Sequence, residues 1–96
     1  MVVTMLEARV SEEHAAGLVD AFGVAGDALP PFIVESFLVR AAESDLWKIV
    51  TVWASQDDLD EYRASVETPE GVRMFRSAGA EPTLTVFDVA AHAAHS

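Results

Sequence analysis

The side chains best suited to chemistry are aromatic and lie near the middle of the chain. Trp53 comes at the end of a segment rich in β-branched residues, and Tyr62 follows within the next helix-like segment. Aromatic rings stack on flat molecules, and a phenol can hydrogen-bond a carbonyl oxygen. The two residues therefore indicate a pocket for an aromatic substrate. The alternative is that both belong to the core, with the Tyr62 hydroxyl turned toward solvent.

Two arginines follow on a short amphipathic segment. Arg73 and Arg76 are three positions apart, so they share one flank of a helix and could bind a carboxylate or enolate oxygen. Ordinary surface pairing with Glu67 or Glu70 is the alternative, because isolated ion pairs of this kind are common and weak. Both interpretations remain open from the sequence.

Two glutamates lie inside predicted strands. Glu7 and Glu35 fall where both faces of a sheet are expected to be covered, and a desolvated carboxylate there could act as a general base. Buried charges are usually paired, so the alternative is a structural ion pair with Arg9, Arg40 or Lys48.

The histidines do not form a recognisable metal site. His92 and His95 lie close together near the end of the chain, and His14 is isolated on the edge of a helix, so a third ligand and a rigid support are missing. The sequence also lacks a glycine-rich phosphate loop, a dinucleotide fingerprint and a nucleophile elbow. We therefore predict no metal and no cofactor.

Composition limits the class of protein. The chain has 96 residues, a net charge of −10 and no cysteine, which fits one domain, disfavours nucleic acid and anionic membranes, and excludes a cysteine nucleophile. No stretch is long and apolar enough for a membrane span, and the N-terminus lacks the pattern of a signal peptide, so we expect a cytoplasmic protein. An apolar content of 51% and a mean hydropathy of +0.24 exceed what one small subunit buries easily, which predicts a homodimer.

Periodicity predicts four strands and three helices. The strands cover residues 2–10, 32–41, 46–54 and 82–90; the helices run from Ser11 to Gly23 or Gly26, from a cap at Ser55 to about Val66, and from a cap at Thr68 to about Ser77. The order β-α-β-β-α-β is typical of the ferredoxin-like α+β fold, a four-stranded antiparallel sheet with the helices on one face. Residues 1–90 then form one domain and 91–96 a tail.

The central hairpin predicts two apolar sheet faces. A four-residue turn pairs Ala41 with Leu46. This pairing determines on which face of the sheet each residue of the two strands lies, because side chains alternate between faces. The face that carries the tryptophans is then expected to hold Val34, Ser36, Leu38, Arg40, Trp47, Ile49, Thr51 and Trp53. Because neither face is polar, we expect helices on one and the sheet of a second subunit on the other.

One segment carries a resemblance to a known family. Residues 48–55, KIVTVWAS, followed by Leu59 and Tyr62, resemble the antibiotic biosynthesis monooxygenase family of dimeric α+β barrels, and especially its bacterial haem-degrading members. The likeness extends in element order over residues 2–89. It implies two ferredoxin-like subunits joined through their sheets, with one pocket in each subunit between helices and sheet.

The sequence departs from the haem-degrading members at three places. Those proteins use an asparagine on the first strand, where this chain has Glu7 or Ala8, and a tryptophan in the helix, where it has Tyr62. They also use an iron-binding histidine in the segment that corresponds to residues 71–76, which contains none. A haem-binding protein with altered ligation, through Tyr or Met for example, therefore stays an alternative only.

The resemblance implies a cofactor-independent monooxygenase acting on a small hydrophobic, aromatic or polyketide-like substrate. In such chemistry the deprotonated substrate supplies electrons to O₂, and the protein offers a base, a hydrogen-bond donor and a dry cavity. A non-catalytic protein that binds a small ligand in the same fold is the main alternative. The candidate base is Glu35 or Glu7, the candidate donors are Tyr62 and Arg76, and the candidate walls are Trp53, Met74 and Phe75.

Overall fold

The computed structural model describes residues 1–95, and all seven predicted elements are present. In chain order they are β1 (Val2–Arg9), α1 (Glu12–Gly26), β2 (Ile33–Arg40), β3 (Leu46–Trp53), α2 (Gln56–Ser65), α3 (Glu70–Ser77) and β4 (Thr83–Asp88). The strands end one or two residues inside the predicted limits. Residues 91–95 have no regular secondary structure, and Ser96, the last residue of the predicted tail, lies outside the described residues.

The four strands form one antiparallel sheet in the order β2-β3-β1-β4. Sequential pairing alone would place β1 beside β2, but here β3 lies between them and β1 is central. The helical crossovers cover one side of the sheet, as in the split βαβ arrangement. The prediction of a ferredoxin-like α+β fold is confirmed.

The β2–β3 hairpin has the predicted turn. Ala41 donates its N–H to the Leu46 carbonyl at 2.9 Å, and Arg40 lies opposite Trp47. The Arg40 guanidinium rests 5.4 Å from the centre of the Trp47 ring, a distance at which a cation is attracted to the face of the ring. The same-face prediction for these two residues is therefore correct.

A β-bulge near the start of β2 changes the faces of two residues. The register shifts between Ile33 and Glu35, so Ile33 rather than Val34 lies opposite Trp53. Val34 is 56% exposed, and its predicted position on the Trp53 face is wrong. The reason is that a bulge inserts one extra residue, which breaks the strict alternation on which the prediction depended.

Helix α1 buries only a narrow line of its surface. Leu18 is 1% exposed and belongs to the core, whereas its neighbour Val19 is 48% exposed. Neighbouring positions on a helix point about 100° apart, so a narrow contact buries only one of them. The helix also continues past Gly23 and ends at Gly26.

The start of α2 and the end of α3 follow the local signals. The Ser55 hydroxyl accepts the N–H of Asp58 at 3.1 Å, which confirms it as the N-cap. At the end of α3, Gly79 adopts a φ of 77°, and the next N–H, that of Ala80, reaches back to the Phe75 carbonyl at 2.9 Å. This left-handed glycine ends the helix, whose last residue is Ser77, the predicted limit.

The start of α3 is one residue later than predicted. Its N-cap is Pro69 rather than Thr68, and the first helical residue is Glu70. A proline cap offers no side-chain acceptor for the orphan N–H groups of the first turn. Another residue must supply one, and the next section shows that Tyr62 does.

The buried residues form two clusters on the helix side of the sheet. The larger cluster joins β1 and β3 to α1 and α3 and contains Ala8, Val10, Leu18, Trp47, Ile49, Met74, Phe75 and Ala78. The smaller cluster joins the other end of the sheet to α2 and contains Val2, Trp53 and Leu59, with Phe32, Ile33 and Tyr62 packed against it. A cavity lies beside both clusters.

Candidate functional site

A cavity of about 450 Å³ lies between the helix side of the sheet and the surrounding helices. Its walls come from all four strands, from the end of α1 with the loop that follows it, from α2, and from the first half of α3. Its volume is within the range of cavities that hold small organic molecules, and most of its lining is apolar. This is the candidate site.

Three aromatic rings meet at one end of the cavity. The Trp53 and Tyr62 rings lie 5.2 Å apart between centres, inclined at 47°, and Phe32 stacks on Trp53 at 6.0 Å and 15°. Trp53 and Tyr62 line the cavity itself. Their flat surfaces suit contact with an aromatic or conjugated molecule.

The sheet contributes hydroxyl groups to the inner surface of the cavity. The indole N–H of Trp53 donates to the Thr4 hydroxyl at 2.9 Å, and the hydroxyls of Ser36 and Thr51 lie 2.9 Å apart. Because Thr4 accepts from Trp53, its own proton is available to another acceptor. Thr4 and Thr51 are 7% and 8% exposed, so these are the deep polar groups of the site.

The Tyr62 hydroxyl joins α2 to the start of α3. It accepts the N–H of Glu70 at 3.0 Å and so replaces the missing cap at Pro69. A phenol that accepts through its oxygen keeps its own proton for donation. Tyr62 is therefore positioned by the backbone of α3 and can still donate to a ligand.

A glycine lets α3 approach the sheet closely. A β-carbon at Gly71 would lie 2.7 Å from the terminal Cδ1 of Leu6 and 3.6 Å from that of Ile49. Gly71 and Leu6 both line the cavity. The close approach therefore sets the width of the cavity at this end, and any larger residue here would have to displace its wall.

The structure brings together three of the predicted site residues. Trp53, Tyr62 and Met74 all line the cavity. Trp53 and Met74 are also largely buried, so each of these two residues belongs both to the core and to the cavity wall. Phe75 is fully buried in the larger core cluster and does not line the cavity. Of the two neighbours predicted as walls, only Met74 lines the cavity, because neighbouring residues of a helix point about 100° apart.

Arg76 lies away from the cavity on the protein surface. Its guanidinium donates twice to the Glu81 carboxylate, at 2.9 and 2.8 Å. These hydrogen bonds, with the charge attraction, raise the pKa of Arg76 and lower the pKa of Glu81. Arg73 pairs with Glu70 at 3.4 Å. Both arginines therefore form surface pairs, Arg73 with the predicted partner Glu70 and Arg76 with Glu81, which was not predicted.

The two strand glutamates lie on the opposite face of the sheet from the cavity. Glu7 pairs with Lys48 at 3.4 Å across neighbouring strands, one of the ion pairs that the sequence left open. Glu35 is exposed and follows the bulge, on the face of Phe37 and Val52. The sheet thus separates Glu35 from Tyr62 within one chain.

Several cavity residues were not identified from the sequence as site residues. Thr4, Ser36 and Thr51 alternate with apolar residues on the helix side of the sheet, and a hydroxyl at such a position is a signal that could have indicated them. Arg63, on the exposed edge of the cavity, had no such signal, because a basic residue in the last turn of a helix is common.

The lining does not suit haem iron. Among residues 1–95, no histidine lines the cavity, and no three metal-binding side chains cluster. Tyr62 and Met74 are the lining residues with atoms known to ligate haem iron, but the Tyr62 oxygen is held by Glu70. Within the same described part of the chain, no helix is long and apolar enough to cross a membrane.

Comparisons with known proteins agree with this fold. No protein-family model matches the chain, and no curated protein matches it in sequence. Among solved structures, the haem degrader MhuD of Mycobacterium tuberculosis is 19% identical with a TM-score of 0.72, over 98% of this chain and 100% of that one. The cofactor-independent oxygenase SnoaB of Streptomyces nogalater is 18% identical with a TM-score of 0.68, over 95% of each chain.

A third structure gives the same result. A Deinococcus radiodurans protein, proposed to be an antibiotic biosynthesis monooxygenase, is 14% identical with a TM-score of 0.74, over 100% of this chain and 98% of that one. The resemblance predicted from residues 48–55 is confirmed as a shared fold. At such low sequence identity, a shared fold does not establish a shared activity, because one fold hosts many functions.

Proposed function

We propose that the protein binds a small hydrophobic, aromatic molecule in the cavity between helices and sheet. The observation that carries the proposal is the wall formed by Trp53 and Tyr62 above the buried hydroxyls of Thr4 and Thr51. Aromatic walls supply contact area and the few hydroxyls fix orientation, the usual division of roles in small-molecule sites.

The two tryptophans allow a direct binding test. Trp53 lines the cavity and Trp47 does not. In a Trp47→Phe variant, titration with the neutral probe anthracene-9-methanol should quench the remaining Trp53 emission saturably. In the matched Trp53→Phe variant, the Trp47 emission should change much less. Equal responses in the two variants, or no saturation, would contradict binding in this cavity.

We further propose that the bound molecule is oxygenated without a cofactor. The support is the fold shared with SnoaB, a cofactor-independent oxygenase, together with the donor proton of Tyr62 inside an aromatic cavity. With anthrone as substrate, one atom of O₂ becomes the new ketone oxygen, and the other leaves as water with the two hydrogens of the oxidised carbon. Tyr62 would donate to the oxyanion of the deprotonated substrate.

Oxygen uptake separates this reaction from binding alone. Wild-type protein with anthrone should consume one O₂ per anthraquinone formed, and Tyr62→Phe should lower kcat/KM by about tenfold or more, since a single oxyanion donor is worth that much. The Arg9→Gln variant is the control, because Arg9 pairs with Asp45 outside the cavity. Uptake no faster than without protein would leave a binding protein, the alternative function.

We also propose a homodimer formed through the uncovered face of the sheet. Phe37, Val39 and Phe87 lie on that face and are 47%, 43% and 46% exposed. A second copy of the same face would bury them symmetrically. Light scattering should give twice the 10.3 kDa mass of one chain, and a mass near 10.3 kDa would contradict the dimer.

A further inference from the structure

The six cationic side chains of this acidic chain differ in whether they have a partner within the chain. Four of them contact a carboxylate: Arg9 with Asp45, Lys48 with Glu7, Arg73 with Glu70, and Arg76 with Glu81. Arg40 lies over the ring of Trp47. Within residues 1–95, Arg63 is the cation that has neither kind of partner, although carboxylates outnumber cations 16 to 6.

Arg63 lies where a ligand would meet it. It is exposed, and it lines the outer edge of the cavity on α2, one residue after Tyr62. Glu70 is a carboxylate residue that also lines the cavity, and it pairs with Arg73 at 3.4 Å. The Arg63 guanidinium at the edge of the cavity can therefore donate hydrogen bonds to the carboxylate of a ligand.

The polar groups of the cavity differ in charge between its interior and its edge. The hydroxyls on the sheet, those of Thr4, Ser36 and Thr51, are neutral, and the buried ring of Trp53 adds an apolar wall beside them. Charge is confined to the exposed edge, where water reduces the cost of holding it. A molecule that matches this order has an apolar aromatic body, a neutral oxygen at its inner end and a negative group at its outer end.

We infer that the ligand of this cavity is an aromatic carboxylate whose carboxylate group binds Arg63 at the opening. The inference rests on the proposed aromatic site and adds the charge of the ligand to it. The rest of the surface repels anions at a net charge of −10, so Arg63 acts as a local exception that selects the orientation of the bound molecule. It is a specificity-determining residue and takes no part in proton transfer.

A matched pair of probes tests the charge separately from the aromatic body. Anthracene-9-carboxylate and anthracene-9-methanol differ mainly in charge at pH 7.5. We expect wild-type protein to bind the carboxylate more tightly than the alcohol, and Arg63→Gln to weaken carboxylate binding about five- to tenfold while leaving alcohol binding unchanged. Arg63→Lys should restore part of the preference, and added salt should reduce it in wild type.

The controls distinguish the possible failures. Arg9→Gln removes one positive charge outside the cavity and should leave both affinities unchanged. Equal binding of the two probes, with no effect of Arg63→Gln, would overturn the charge inference and leave the aromatic site standing. Loss of both probes in Arg63→Gln would show a structural role instead and would also overturn it. If neither probe bound to wild-type protein, the proposed function would fail as well.

Discussion

The two faces of the sheet are made by the same strands yet differ in environment. On the helix side, Ile49 and Trp53 are 4% and 5% exposed, whereas on the other side Phe37 and Phe87 are 47% and 46% exposed. Residue type does not separate the two faces, since both carry large apolar side chains. The faces differ in what packs on them, because all three helices lie on the same side of the sheet and leave the other side open to solvent.

This difference assigns separate roles to the two faces. The helix side has two buried clusters with a cavity between the packed elements, so it combines the core with the candidate site. Within residues 1–95, no side chain of the open face lines the candidate cavity, and this face holds Glu7 and Glu35 among apolar residues. It is suited to contact with another flat surface, while the helix side is suited to holding a small molecule.

The largest effect is expected from a core residue on the helix side. Phe75→Ala removes a side chain that is 0% exposed and leaves a space in the larger core cluster. The expected loss in the free energy of unfolding is about 3–5 kcal/mol. Urea denaturation followed by circular dichroism measures it. A loss below about 1 kcal/mol would show that α3 is not docked as described.

The same change on the open face sharpens the contrast. In the isolated subunit, Phe37→Ala should change the free energy of unfolding by about 1 kcal/mol or less, because Phe37 is 47% exposed. If the proposed dimer forms, the variant should instead dissociate at higher protein concentration, since association stabilises by mass action. Light scattering over a dilution series, with Val19→Ala on the exposed side of α1 as the control, measures that shift.

The smallest effect is expected from the surface pair of Arg76 and Glu81. Hydrogen bonding to Arg76 lowers the pKa of Glu81 below its ordinary value of 4.5. The pair therefore stabilises the fold above that value and stops doing so as the pH falls through the lowered pKa. Both groups are exposed, so salt weakens the effect.

The pH dependence can be measured by comparing wild type with Glu81→Gln. The small difference in their unfolding free energies at pH 6 should shrink as the pH falls below 4.5 and through the lowered pKa of the wild-type carboxylate. A difference that stayed constant over that range would mean that the ion pair contributes nothing and that the variant acts through packing alone.

Local signals in the sequence were enough for the element order and most element ends. The Ser55 cap, the glycine that ends α3 and the four-residue turn before Leu46 act through neighbours a few positions away, so they can be recognised without the fold. The same turn placed Trp53 on one face with Trp47, Ile49 and Thr51, but it did not decide which face the helices cover. These features led to the ferredoxin-like fold and to the aromatic part of the site.

The tertiary structure alone decided which side chains meet. Whether Arg76 faces the cavity or Glu81 depends on how α3 docks on the sheet, and the bulge decides that Ile33 rather than Val34 lies opposite Trp53. Those outcomes result from contacts between residues far apart in the chain, which periodicity does not encode. The sequence by itself therefore determined the strands, helices and turns, while packing determined the cavity, its buried hydroxyls and the free cation at its edge.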